Sequence, residues 1–119
     1  MAEYQIKNKM GIISMNDNVL ATLIGNATME CSGIYAMASK RASDGLVELV
    51  KKENLSRGVK VSVVDNAVLV QIFIIVKYGV NIRTVAQNIV ETVRYQMEEC
   101  IGMPIYDIQI SVEGISVEE

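Results

Sequence analysis

The stretch GVKVSVVDNAVLVQIFIIVKYGVNI, residues 58–82, decides the fold. Two runs rich in Val and Ile, 59–64 and 67–76, flank Asp65-Asn66. β-Branched runs favour extended backbone, and a two-residue Asp-Asn link fits a tight hairpin. Further on, Asn81 is placed to cap a helix, with Val80 and Val85 at the N′ and N4 positions of a hydrophobic staple. Ile82, Val85, Ala86, Ile89, Val90, Val93, Met97, Cys100 and Ile101 then recur at the spacing of one buried helical face. Gly102 suits a left-handed C′ position, and Pro104 ends further helix. Ile108, Ile110 and Val112 alternate with Asp107, Gln109, Ser111 and Glu113, as in a strand with one wet face. The order is strand, turn, strand, helix, strand.

Upstream, Gly11, Ile13 and Met15 predict a strand that leads into a helix capped near Asn16. That helix is expected to bury Val19, Leu20, Leu23, Ile24, Ala27 and Cys31 and to end before Gly33. A further helix is expected from about Asp44 to Glu53, carrying Leu46, Leu49 and Val50. No linker, repeat or low-complexity run interrupts the 119 residues. The expectation is one two-layer α+β domain over residues 1–119, a mixed sheet with helices packed on it.

The hairpin permits a sharper reading. A two-residue loop sets Val64 against Ala67, Val63 against Val68 and Val61 against Val70. Opposed residues share a side, so Val59, Val61, Val63, Val68, Val70, Ile72, Ile74 and Val76 make one apolar face. The other face carries Lys60, Ser62, Gln71 and Lys77, as water would require, but also Val64, Leu69, Phe73 and Ile75. A contiguous apolar patch seldom stays bare. Leu69, Phe73 and Ile75 are therefore expected to be covered, by a helix of the same chain or by another subunit.

Composition excludes several classes. Half the residues are apolar and 21% charged, which rules out a disordered chain. No apolar run reaches the length needed to cross a bilayer, and the first residues form no secretory signal, so a soluble cytoplasmic protein is expected. Asn26-Ala27-Thr28 and Asn54-Leu55-Ser56 match the glycosylation sequon but lack that context. The absence of histidine removes the usual general base and the commonest metal ligand. Cys31 and Cys100 have no metal or redox spacing and fall on apolar helical faces, so they read as small buried hydrophobes. The glycines never fall closer than eight residues apart, which precludes a phosphate-cradling loop. No catalytic group, metal ligand or cofactor site is predicted.

Charge is unevenly spread along the chain. Of eleven basic residues, Lys40, Arg41, Lys51, Lys52, Arg57 and Lys60 crowd between positions 40 and 60. From Glu91 onward there are seven acids and one arginine. The net charge of −3 and the lack of interleaved stacking aromatics argue against nucleic acid. Solvated helix and loop surface is the first reading of the cluster, and an acidic protein partner or an anionic lipid surface comes next; for a protein partner, Lys51, Lys52 and Arg57 are the candidate contacts.

Nearly the whole chain resembles the alkaline shock protein family of Gram-positive bacteria, the envelope stress response proteins. The resemblance lies in Gly11-Ile12-Ile13-Ser14-Met15 running into Val19-Leu20-Ala21, then Gly33-Ile34-Tyr35-Ala36-Met37 and Gly58-Val59-Lys60-Val61. It continues through Ile74-Ile75-Val76-Lys77-Tyr78-Gly79-Val80-Asn81-Ile82 and Ile108-Gln109-Ile110-Ser111-Val112-Glu113-Gly114-Ile115. Met15 stands where the family usually has a branched aliphatic residue. The run Met37-Ala38-Ser39-Lys40, with Glu53-Asn54-Leu55-Ser56-Arg57-Gly58, is similar to a short subgroup often encoded beside a dihydroxyacetone-kinase-like kinase that phosphorylates fatty acids. The resemblance implies a non-enzymatic adaptor or assembly protein that forms homo-oligomers and docks on a protein partner. That partner would be a membrane-anchored protein or the kinase, leaving the chain peripheral to the membrane without inserting into it. The alternative it leaves is a regulatory partner of the kinase; an RNA-binding module is a distant third.

Overall fold

The computed structural model describes residues 3–8, 11–38, 49–50 and 58–117, with side chains from 14 to 38 and from 58 to 117. In chain order these form β1 (Glu3–Asn8), β2 (Gly11–Asn16), α1 (Asp17–Met29), β3 (Ile34–Ala38), β4 (Leu49–Val50), β5 (Val59–Val64), β6 (Ala67–Lys77), α2 (Ile82–Arg94), a π-helical segment (Tyr95–Ile101) and β7 (Ile105–Ser116). The fold class is α+β, as the sequence predicts.

β6 is the spine of the main sheet. β7 runs parallel to it from Val68 to Lys77 along one edge. β5 pairs with Ala67 to Ile72 and β3 with Ile74 to Val76, both antiparallel. Because β7 fills one edge over that whole length, β5 and β3 lie end to end on the other. Gly58 marks the junction: a Cβ there would stand 2.9 Å from Met37 Cβ and 3.1 Å from the Ala38 carbonyl oxygen. β4 adds to the outer side of β3 through Met37–Val50 and Ala38–Leu49, while β1 and β2 form a separate antiparallel ribbon.

The β5–β6 hairpin adopts the predicted register, Val64 opposite Ala67 and Val59 opposite Ile72. Asp65 and Asn66 both take positive φ, 50° and 65°, the conformation of a type I′ turn, whose twist matches that of the flanking strands. The helix starts also follow the sequence. Asn16 Oδ1 accepts the Val19 N–H at 2.8 Å, and Asn81 Oδ1 accepts the Thr84 N–H at 3.1 Å. Each side chain satisfies one of the N–H groups that a helix start leaves without an intrahelical partner.

Both helices pack on one face of the sheet. Leu20, Ala21, Ile24 and Ala27 of α1 and Val85, Ile89, Val93 and Met97 of the second helix enclose Val59, Val68, Val70, Ile72, Ile74 and Val76. Burial of side chains this size contributes about 1.5–3 kcal/mol each.

Four expectations are corrected. Val19 and Leu23 are not buried but 43% and 41% exposed, because α1 turns Leu20, Ala21, Ile24, Gly25, Ala27 and Thr28 inward instead. This side is rich in small residues. Cys100 is exposed rather than buried: where the helix widens to i→i+5 hydrogen bonding from Tyr95, Met97 and Ile101 keep to the core and Cys100 does not. Ile82, in the first turn, is exposed as well. Leu49 and Val50 form a strand instead of helix; the remainder of the expected Asp44–Glu53 helix lies outside the described residues.

Candidate interaction surface

The face of the sheet away from the helices is built by alternate residues of three strands. Lys60, Ser62 and Val64 of β5 stand opposite Gln71, Leu69 and Ala67 of β6. On the far side of β6, Leu69, Gln71, Phe73 and Ile75 stand opposite Asp107, Gln109, Ser111 and Gly114 of β7. Strand alternation forces this sorting, since most of their sequence neighbours are valines and isoleucines of the helix-covered core; Val63, expected on that apolar face, is instead 55% exposed beside the turn.

Its apolar residues on β6, Leu69, Phe73 and Ile75, are interrupted by the polar Gln71. Ile75 is 6% exposed, and Leu69 and Phe73 are half-buried. None of the three belongs to the core cluster under the helices, and no described helix packs on their side. Gly114 opposes Ile75, and a Cβ at that glycine would meet the Ile75 side chain at ordinary contact distance, 3.8 Å. Between Leu69 and Phe73, Gln71 Nε2 donates to Gln109 Oε1 at 3.0 Å. The two amides satisfy part of each other's hydrogen-bonding capacity and tie β6 to β7 across the middle of the patch. Lys60, opposite Gln71, is exposed.

The structure brings Leu69, Phe73 and Ile75 together on one side of β6, as the register predicts. The other candidates, Lys51, Lys52 and Arg57, lie outside the described residues. Sequence reasoning passed over a second apolar strip, the outward Val19 and Leu23 of α1. The signal that could have found it is the inward run of Ala21, Gly25 and Thr28. Thr28 is fully buried and donates its hydroxyl to the Ile24 carbonyl oxygen at 2.8 Å.

Cys31 is half-buried, with Sγ 3.6 Å from Thr92 Oγ1 and 3.7 Å from the Ala27 carbonyl oxygen. Cys100 is exposed on the π-helical segment. Among the described residues no group of three or more His, Cys, Asp or Glu side chains could hold a metal ion. No described helix is long and apolar enough to cross a membrane.

Helices cover one side of a mixed sheet, and the described part of the other side presents Leu69, Phe73 and Ile75 with the Gln71–Gln109 pair between the first two. This is an α+β domain. The chain belongs to the alkaline shock protein family, described by a cell envelope-related function, which matches it over residues 5–117. It is 38% identical over 114 residues to the uncharacterised protein YloU of Bacillus subtilis, covering 95% of each chain. It is 35% identical to the uncharacterised protein Spy1614 of Streptococcus pyogenes, covering 95% of this chain and 94% of that one. A second Bacillus subtilis relative, the uncharacterised protein YqhY, is 28% identical over 92% of this chain and 80% of its own. No solved structure gives a significant match.

Proposed function

We propose that the chain is a non-enzymatic adaptor or assembly protein of the cell-envelope stress response, which self-associates and docks on a protein partner. Family membership supports the envelope setting. The observation that carries the assembly role is the strip Leu69, Phe73 and Ile75, placed on the sheet face that no described helix covers. Its occupant is a second subunit, and the chain works in the cytoplasm, reaching the membrane through its partner. Lys51, Lys52 and Arg57 face an acidic surface of that partner.

Sedimentation equilibrium tests the assembly role. The wild-type chain should associate as concentration rises, and Phe73→Asp should shift it to monomer while its circular dichroism is retained. A wild type that stays monomeric throughout, or a Phe73→Asp variant that assembles like it, defeats the reading. For the partner, reversing Lys51, Lys52 and Arg57 to Glu should weaken capture of the membrane-anchored protein in a salt-dependent way, with the melting temperature unchanged. If a fatty-acid-phosphorylating kinase is captured in its place, the regulatory reading takes over.

A further inference from the structure

β7 is an open edge. It pairs with β6 along one side, and no described strand pairs with the other. An edge strand presents a row of backbone N–H and C=O groups to whatever extended segment can reach them. Two bulges bound the usable part of this edge. The register passes from Val68–Ile105 to Leu69–Asp107, leaving Tyr106 over, and from Ile74–Val112 to Ile75–Gly114, leaving Glu113 over. Bulges bend a strand and interrupt pairing, so the continuous window is residues 107–112.

The side chains along that window differ by face. On the helix side, Ile110 and Val112 are half-buried, although Ile72 and Ile74 beside them on β6 are fully buried. The apolar row is unfinished where the sheet stops. On the opposite side Asp107 and Gln109 are exposed. Asp107 opens the window and exposed Glu113 closes it, and β7 contains no basic residue. The one arginine after Glu91, Arg94, already lies 3.6 Å from Glu98.

We infer that this edge takes up an extended basic segment of a protein partner, in which aliphatic side chains alternate with Lys or Arg. Main-chain hydrogen bonds to residues 107–112 hold the added strand. Its aliphatic row extends the layer of Ile110 and Val112, and its basic row lies within reach of Asp107 and Glu113. A second copy's β7 is the poorer occupant, since it gathers four carboxylates on one seam. The inference is independent of the envelope role and uses a different surface from Leu69, Phe73 and Ile75.

The probe is the blocked peptide Lys-Val-Lys-Val-Lys-Val, titrated at low salt into the full chain and followed by calorimetry and amide NMR. Binding should be saturable, with shifts centred on residues 105–114, and should weaken as salt rises. D107N/E113Q should weaken it by about tenfold, and D107K/E113K more. The isomer Lys-Lys-Lys-Val-Val-Val, of equal charge but without alternation, should bind at least about tenfold more weakly. Equal affinity for the two peptides, no binding of the alternating one, or binding unchanged in D107N/E113Q overturns the inference. Self-association that D107K/E113K abolishes, with no uptake of peptide, also overturns it and assigns the edge to a second copy.

Discussion

Replacing Gly33 by alanine separates two costs that the structure places at one residue. Gly33 holds φ at +91°, where any L side chain is strained. A Cβ there would also stand 2.7 Å from Val85 Cγ2 and 3.5 Å from Val80 Cγ1, closer to Val85 than real Cβ atoms come. Val85 is itself buried in the core, so any shift that makes room disturbs its packing. The backbone term is ~1–2 kcal/mol, and forcing a methyl into a packed site adds ~1–3 kcal/mol. Gly79 and Gly102 have similar φ, +91° and +84°, but nothing lies within 4 Å of an added Cβ. Their alanine variants carry the backbone term alone. For a chain of 119 residues, unfolding entropy makes each kcal/mol worth about 4 °C in Tm. Thermal denaturation by circular dichroism should therefore show losses of about 8–20 °C for Gly33→Ala and about 4–8 °C for each of the others. Adding Val85→Ala to Gly33→Ala should recover part of the difference, a favourable coupling of ~1–3 kcal/mol. A Gly33→Ala variant no less stable than Gly79→Ala, or a double variant that shows no coupling, refutes the contact between Gly33 and Val85.

Three further outcomes follow from the same structure. In the folded chain a thiol reagent should modify Cys100 promptly and Cys31 slowly, and denaturation should remove the difference; equal native rates would contradict the burial of Cys31. Asn66→Gly should hold stability level or raise it by a few tenths of a kcal/mol in urea unfolding, because glycine adopts the required φ of 65° with less strain. Asn81→Ala should cost ~1 kcal/mol through loss of the bond to the Thr84 N–H, whereas Asn81→Asp should cost much less; equal losses would show that the cap bond is not what matters there.

What could be read from the sequence was what neighbouring residues determine. Asp65-Asn66 fixes a two-residue loop, the loop fixes the register, and the register sorts Leu69, Phe73 and Ile75 from the core face. Asn16 and Asn81 mark helix starts because a cap involves only a few consecutive residues. The rotation of α1 was not legible, since Val19, Leu20, Leu23 and Ile24 offer apolar groups on several sides. Only the sheet, which takes up Ala21, Gly25 and Thr28, chooses among them. The widening at Tyr95 has no local signature either, and beyond it Cys100 leaves a pattern that Met97 and Ile101 keep. The pairing of Leu49 and Val50 with β3 joins residues distant in sequence and lies beyond any short-range rule. For the candidate surface, periodicity supplied the apolar strip, while the Gln71–Gln109 bond needed the parallel partner that only the tertiary fold provides.

The end-to-end placement of β3 and β5 has a further consequence for chain architecture. β6 reads them as one long antiparallel neighbour, yet the polypeptide leaves that neighbour at Ala38 and rejoins it at Gly58. Exit and re-entry are so close that the Gly58 Cα has room for hydrogen alone beside Met37. In sequence, residues 39–57 separate two segments that β6 pairs as one neighbour, and Leu49–Val50 within them adds to the outer side of β3 and not to β6. The β6 pairings on both sides of the junction are set by β3 and β5 themselves, so a change in the number of residues between Ala38 and Gly58 that spares β4 should leave them in register. The length of the connection is in this way uncoupled from the register of the sheet's central strand.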